Sequence, residues 1–107
     1  MVPTMSLSSN ERAALRGAAN TLDPVFQIGK GEIDETLIDG VAKCLAAREL
    51  IKCKVLDNSE YAPREAADIL AEATGAACVQ VIGRKFVLFK QKDKDSAFTA
   101  LLAAASK

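Results

Sequence analysis

The stretch that decides the fold runs from Ala77 to Lys90 and reads ACVQVIGRKFVLFK. Two runs rich in β-branched and aromatic residues flank Gly83-Arg84 in its middle. A two-residue loop that contains glycine, placed between two such runs, predicts a β-hairpin. Residues 77–90 are therefore predicted to form an antiparallel pair of strands.

Two earlier segments have the pattern of strands. Residues 50–56 alternate apolar side chains with Lys52 and Lys54, so one face is apolar and the other carries two ammonium groups. Residues 24–28, PVFQI, form a shorter candidate, with Pro24 at the first position, where a missing N–H is tolerated. The sequence therefore predicts four strands in all.

Three helices alternate with these strands. The spacing of apolar residues predicts them over about 8–20, 33–47 and 63–74, and Pro63 and Gly75 suit the two ends of the third. The order α-β-α-β-α-β-β predicts an α/β arrangement of the two-layer α+β kind, with helices on one face of the sheet. Arg12 and Arg16 are expected to point outward, and the third helix is expected to face the core through Ala66, Ile69, Leu70 and Ala73.

Composition limits the functional classes. Half of the 107 residues are apolar and about a quarter are charged, as in one globular domain. Histidine is absent, which removes Ser-His-Asp triads, Cys-His pairs and histidine-ligated zinc. Apolar runs reach about five residues, far short of the ~20 of a membrane span, so we expect no membrane association.

The three cysteines are widely spaced. No CxxC motif joins Cys44, Cys53 and Cys78, and each lies in an apolar pattern, so we interpret all three as small core hydrophobes. The first residues, MVPTM, show neither the basic nor the apolar region of an export signal. Free thiols without such a signal predict a cytoplasmic, reducing location.

Opposite charges are segregated along a chain whose formal net charge is zero. Residues 57–72 hold five acidic residues and one basic residue, whereas residues 84–94 hold five basic residues and one acidic residue. Together with Lys52 and Lys54, the second segment predicts a basic surface on the sheet, as polyanion-binding proteins have. The alternative is that these cations only keep a half-exposed sheet soluble.

Gly29-Lys30-Gly31 lies between a predicted strand and a predicted helix. Glycines let a phosphate approach the backbone, and the helix N-terminus supplies N–H donors, so this turn is either a phosphate site or a plain connection. It matches neither a dinucleotide fingerprint nor a P-loop. We expect no catalytic residues, no metal site, no cofactor and no enzymatic activity, because no nucleophile–base pair or ligand cluster is visible.

The last residues differ from the rest. We divide the chain into a flexible lead-in at 1–7, a domain at 8–91, and a charged linker with a short apolar helix at 92–107. Phe98, Leu101 and Leu102 belong to the apolar stripe of that helix. The stripe could dock on its own domain, bind a partner or a second copy, or fray.

Several separated motifs, in the right order over residues 7–91, resemble the YhbY family, single-domain bacterial proteins built on the CRM domain. The motifs that carry the resemblance are Leu15-Arg16-Gly17-Ala18-Ala19, Pro24-Val25, Ile28-Gly29-Lys30-Gly31, residues 49–55, Thr74-Gly75-Ala76 and residues 79–90.

The resemblance implies three helices and a four-stranded mixed sheet, like the C-terminal domain of translation initiation factor three. It also implies RNA binding, with ribosomal RNA of large-subunit precursors as the partner. The family's KH-like GxxG loop maps to residues 29–32, where Lys30 and the Gly29 and Gly31 amides would hold phosphates. The family's basic sheet edge maps to Lys52, Lys54, Arg84, Lys85 and Lys90, and we add Arg12 and Arg16 as flanking contacts. The alternative function is a protein-interaction module of the ribosome or its assembly factors that uses the C-terminal helix.

Overall fold

The structure, a computed structural model, describes residues 9–29 and 33–90. Its elements follow the predicted order: α1 (Ser9–Ala19), β1 (Phe26–Ile28), α2 (Glu35–Arg48), β2 (Leu50–Val55), α3 (Pro63–Thr74), β3 (Ala77–Ile82) and β4 (Lys85–Phe89). Three predictions lie outside the described residues: the geometry of Lys30 and Gly31 in the glycine turn, the lead-in at 1–7, and the C-terminal helix with Phe98, Leu101 and Leu102.

The four strands form one mixed sheet in the order β1-β2-β4-β3. β1 runs parallel to β2, and α2 provides the crossover that a parallel pair requires. β4 lies antiparallel to both β2 and β3. Gly83 opens the β3–β4 turn at φ 57°, a conformation that costs glycine little. The predicted fold class and the predicted mixed sheet are confirmed.

Helices lie on both faces of the sheet, not on one as expected. Successive strand residues point to opposite faces, so β2 and β4 contribute to two cores. Ile51 and Leu88 pack with the residues of α2 and α3, whereas Leu50 and Val87 pack on the other face with Leu15 of α1. The uninterrupted apolar run of β4 follows from this arrangement, because its residues 86–89 are buried whichever way they point.

The buried face of α3 also differs from the expectation. Ala66 and Leu70 are buried as predicted, but Ala73 is exposed, and Ala67 and Ala71 are buried in its place. The buried residues of α3 lie on one helical face that is rotated away from Ala73 and towards Ala67 and Ala71, and α3 packs against α2 as well as against the sheet.

The three cysteines are free thiols that contact the larger core. Cys53 is fully buried, and Cys44 and Cys78 are half-buried against the same cluster. Among the described residues, no helix combines the length and the apolar character needed to cross a bilayer.

Candidate functional site

Three lysines lie together on the face of the sheet that carries α1, towards the end at which β2 ends and β4 begins. We call Lys52 and Lys54 of β2 and Lys85 of β4 the lysine face. Lys54 and Lys85 are directly opposite each other in the antiparallel register, and Lys52 is the next residue along on the same side. Residues opposite each other in such a pair have Cβ atoms about 5 Å apart, so the sheet holds two ammonium stems side by side.

The charges of the lysine face are not neutralised by the rest of the described chain. Like charges directly opposite each other weaken a sheet. The ion pairs between described residues join Lys43 to Asp39, Arg64 to Asp68 and Arg84 to Asp57, and none involves the lysine face. None of the four strands contains an Asp or a Glu. An unneutralised cationic face of this kind favours an anionic ligand.

Neutral polar side chains extend the lysine face on both sides. Gln27 of β1 is aligned with Lys54, and Gln80 of β3 is aligned with Val87, which shares its face with Lys85. Each amide can donate and accept hydrogen bonds, so the lysines are flanked by groups suited to polar contacts that carry no net charge.

Gly29, which is the described residue of the glycine turn, lies at the same end of the sheet. β1 and β2 are parallel neighbours, so Gly29, which follows β1, lies beside the residues that follow β2. A Cβ on Gly29 would stand 3.4 Å from Leu56 Cδ1 and 3.5 Å from Asn58 Oδ1. The β3–β4 turn is at this end too, because Lys54 pairs with Lys85. Gly29 and the lysine face are therefore at one end of the sheet.

The N-terminus of α2 already uses a carboxylate of its own. Asp34 is the N-cap residue, and its Oδ1 accepts a hydrogen bond from the Leu37 N–H at 2.9 Å. The expected phosphate site at this helix end therefore has one of its free donors occupied, and Glu35 adds a second negative charge in the first turn.

Arg84 is close to the lysine face but is held by an acid. Its Nε lies 2.9 Å from Asp57 Oδ1, and both side chains are largely exposed. Arg84 directly precedes Lys85 and lies in the turn between β3 and β4. Its carbonyl accepts a hydrogen bond from the Val55 N–H at 2.7 Å, which extends the β2–β4 pairing into the turn.

The other predicted site cations lie elsewhere or make structural contacts. Arg12, expected to point outward, is half-buried and donates from Nη1 to the carbonyls of Cys78 and Val79, the latter at 3.1 Å. Lys90 follows β4 at the opposite end of the sheet, where its Nζ donates to the Thr74 carbonyl at 2.8 Å. Arg16 is exposed in the last turn of α1.

Burial makes the thiols of Cys53 and Cys78 less acidic. Burial, and secondarily the neighbouring Cys44, raises the pKa of Cys53 to about 12. Burial also raises the pKa of Cys78. Both thiols are therefore protonated at neutral pH and are poor nucleophiles. No group of three or more metal-ligating side chains occurs among the described residues.

Sequence reasoning missed two features next to the lysines. The first is the ion pair of Asp57 with Arg84, which joins the turn after β2 to the β3–β4 turn; extending the β2–β4 register past Lys54 and Lys85 aligns Arg84 with Val55, so the register alone does not reveal it. The second is Ile82, whose side chain is 58% exposed although it ends an apolar strand. Buried and exposed side chains would alternate along β3 from buried Val79 to Ile82, but an irregularity between Cys78 and Gln80 interrupts this alternation. The sequence shows no sign of the irregularity.

Comparisons with known proteins agree on one family. The model of the CRS1 / YhbY (CRM) domain matches residues 7–90. "Probable RNA-binding protein YqeI" of Bacillus subtilis is 37% identical over 89 residues, which cover 83% of this chain and 93% of that protein. "Probable RNA-binding protein MJ0652" of Methanocaldococcus jannaschii is 36% identical over 92 residues, covering 81% of this chain and 66% of that protein.

A solved structure has the same fold. The solution structure of the hypothetical protein SAV1595 from Staphylococcus aureus, itself named as an RNA-binding candidate, matches with a TM-score of 0.72 and 40% sequence identity. The match covers 85% of this chain and 95% of that one.

Proposed function

Because the chain belongs to the CRS1 / YhbY (CRM) domain family, we propose that it binds RNA through the lysine face. The observation that carries the proposal is the position of Lys52, Lys54 and Lys85, which share one face of a sheet that has no acidic residue in any strand. Two relatives and one structural neighbour named as RNA-binding proteins or candidates support it.

The lysines would contact phosphates. An ammonium group on a flexible stem acts as a mobile point charge that follows the sugar–phosphate backbone without reading the base sequence. Three such contacts predict that log K falls with log salt concentration at a slope of about −2 for a single strand. Gln27 and Gln80 can add hydrogen bonds to ribose or base edges, so specificity is expected to come from the flanks of the lysine face.

We also propose the narrower partner that the family resemblance implies, ribosomal RNA of a large-subunit precursor, met in the cytoplasm. The narrower proposal is tested by competition. Unlabelled large-subunit ribosomal RNA should displace a labelled large-subunit fragment at lower concentration than unrelated RNA of the same length and composition does. Equal displacement by the two competitors would reject the narrower partner and leave general RNA binding in place.

The test of RNA binding removes two charges from the lysine face. Lys54→Gln/Lys85→Gln should bind a large-subunit RNA fragment ten- to thirtyfold more weakly at about 0.1 M salt, because each lost contact removes about 0.7 from the salt slope. The matched control is Lys43→Gln/Arg64→Gln, which removes two exposed cations from the helices α2 and α3.

Binding is measured by fluorescence anisotropy between about 0.05 and 0.2 M salt, after circular dichroism has shown each variant to be folded. The control should stay within twofold of the wild type and keep its salt slope. If RNA affinity falls by the same factor in both double variants, the affinity depends only on the net charge of the protein, and the lysine face is not the binding site.

A further inference from the structure

Two apolar side chains are exposed beside the lysines. Ile82 is 58% exposed and Val25 is 36% exposed, and they are the exposed large hydrophobic residues in the part of the chain that the structure describes. Ile82 is the register partner of Lys85 on β3. The Val25 N–H donates to the Lys52 carbonyl at 2.9 Å, which extends the β1–β2 register by one residue.

Both residues therefore lie on the side of the sheet that carries the lysine face. Val25 directly precedes Phe26, which packs against the core under α2 and α3, so alternation directs Val25 to the opposite face. Scattered exposed apolar residues need no explanation. Here, however, the two residues flank one cationic patch, with Val25 beside β2 and Ile82 beside β4.

A ligand that satisfies this surface needs anionic groups and accessible apolar faces within a short distance. The four strands span three inter-strand spacings, about 14 Å, so the lysines and the two apolar side chains fall within reach of a few nucleotides. An RNA duplex presents phosphates and 2′-hydroxyls outward and keeps its base faces stacked inside. A single strand exposes base faces next to its phosphates.

We propose that the RNA held by the lysine face is single-stranded, and that Ile82 and Val25 contact its bases or riboses while the lysines hold its phosphates. The proposal rests on the proposed function. Aromatic stacking platforms are the usual solution for such contacts. Phe89, the phenylalanine of β4 on this face, is fully buried, so the apolar contact is left to the aliphatic side chains.

The experiment compares a single-stranded large-subunit RNA fragment with the same fragment annealed to its complement. The wild type should bind the single strand at least tenfold more tightly at the same salt concentration. Ile82→Thr keeps a β-branched strand residue but loses apolar contact area, so it should weaken single-strand binding about three- to tenfold. Its slope of log K against log salt should stay unchanged, because no phosphate contact is lost.

Ala73→Ser is the matched control, since it makes an exposed residue of α3 more polar on the opposite side of the molecule. It should bind both RNAs as the wild type does. Equal affinity of the wild type for single strand and duplex, or wild-type binding by Ile82→Thr, would overturn the inference while salt-dependent binding upholds the proposed function. An absence of salt-dependent RNA binding would overturn both.

A sizing column distinguishes RNA contact by the two apolar residues from self-association of the protein through them. If the wild type is a dimer and Ile82→Thr is a monomer, the apolar residues cover a second copy of the chain and the single-strand inference is wrong. If both are monomers and the single-strand affinities differ as stated, the inference is upheld.

Discussion

Asp57 competes with any anionic ligand for Arg84. The two side chains form an exposed ion pair at 2.9 Å, and such pairs contribute at most about 1 kcal/mol to stability. Asp57→Asn should therefore leave the free energy of unfolding nearly unchanged and free the guanidinium. We expect RNA affinity to rise two- to fivefold, with the salt slope steeper by about 0.7 for a single strand.

The matched control for this prediction is Asp39→Asn, which breaks the exposed Asp39–Lys43 pair on α2 and changes the net charge equally. Both affinities are measured by anisotropy across a salt series. If the two variants bind alike, the gain reflects net charge, and Arg84 does not reach the RNA.

Cys53 makes the stability of the fold sensitive to alkali. Burial, and then the neighbouring Cys44, raises its pKa from 9.0 to about 12. Between these values the folded chain keeps a proton that the unfolded chain has released. The contribution of the protonated Cys53 thiol to the free energy of unfolding is therefore fully present below pH 9. It is lost as the pH rises towards 12, by up to about 1.4 kcal/mol per pH unit.

Urea unfolding at pH 9, 10 and 11 measures this loss. Cys53→Ala should be less stable than the wild type at every pH, because it leaves a small cavity, but its stability should fall less steeply with pH. Cys44→Ala should keep a steep decline. If the free energy of unfolding of Cys53→Ala declined as steeply with pH, other groups would be the cause of the loss of stability at alkaline pH.

At the scale of the element, the ends of helices and strands were easier to predict than their packing. Pro63 and Gly75 set the ends of α3, and Gly83 sets the end of β3, so both elements begin and end where the sequence predicts. Turn residues act locally, which is why they can be read from the sequence. The side of the sheet on which α1 packs depends on distant partners such as Val87, and the sequence does not show it.

α1 is joined to the sheet by one such distant contact. Arg12 donates to two consecutive carbonyls at the irregularity of β3, where regular pairing with β4 is interrupted. Arg12→Met keeps much of the apolar stem but leaves these carbonyls without their donor. We expect the free energy of unfolding to fall by about 1–3 kcal/mol.

Urea unfolding of Arg12→Met is compared with that of Arg16→Met, one turn further along α1. Arg16 is exposed, so its substitution should change stability by less than about 0.5 kcal/mol. Equal losses in the two variants would mean that the Arg12 contacts contribute nothing to the docking of α1.

At the scale of the whole molecule, the lysine face and the acidic residues of α3 lie on opposite sides of the sheet. The lysine face lies on one side of the sheet, and α3 on the other side exposes Glu65, Asp68 and Glu72. The sequence indicated this segregation through its charge runs. It could not show that Lys54 and Lys85 lie opposite each other, because that depends on β4 being inserted between β2 and β3.

Lys85 and Lys90 lie at opposite ends of the sheet, and we expect them to have different roles. Lys90 donates to the Thr74 carbonyl at the C-terminus of α3, where a cation also suits the helix dipole. Lys90→Gln should therefore lower the free energy of unfolding by about 0.5–1.5 kcal/mol, with RNA affinity within twofold of the wild type.

Lys85→Gln should keep or slightly raise the free energy of unfolding, because it relieves repulsion with Lys54. It should nevertheless bind RNA about fivefold more weakly at 0.1 M salt. Urea unfolding and anisotropy on the same preparations give both quantities. If Lys90→Gln lost affinity as Lys85→Gln does, the RNA would run the full length of the sheet, and Lys90 would exchange its contact with α3 for a phosphate.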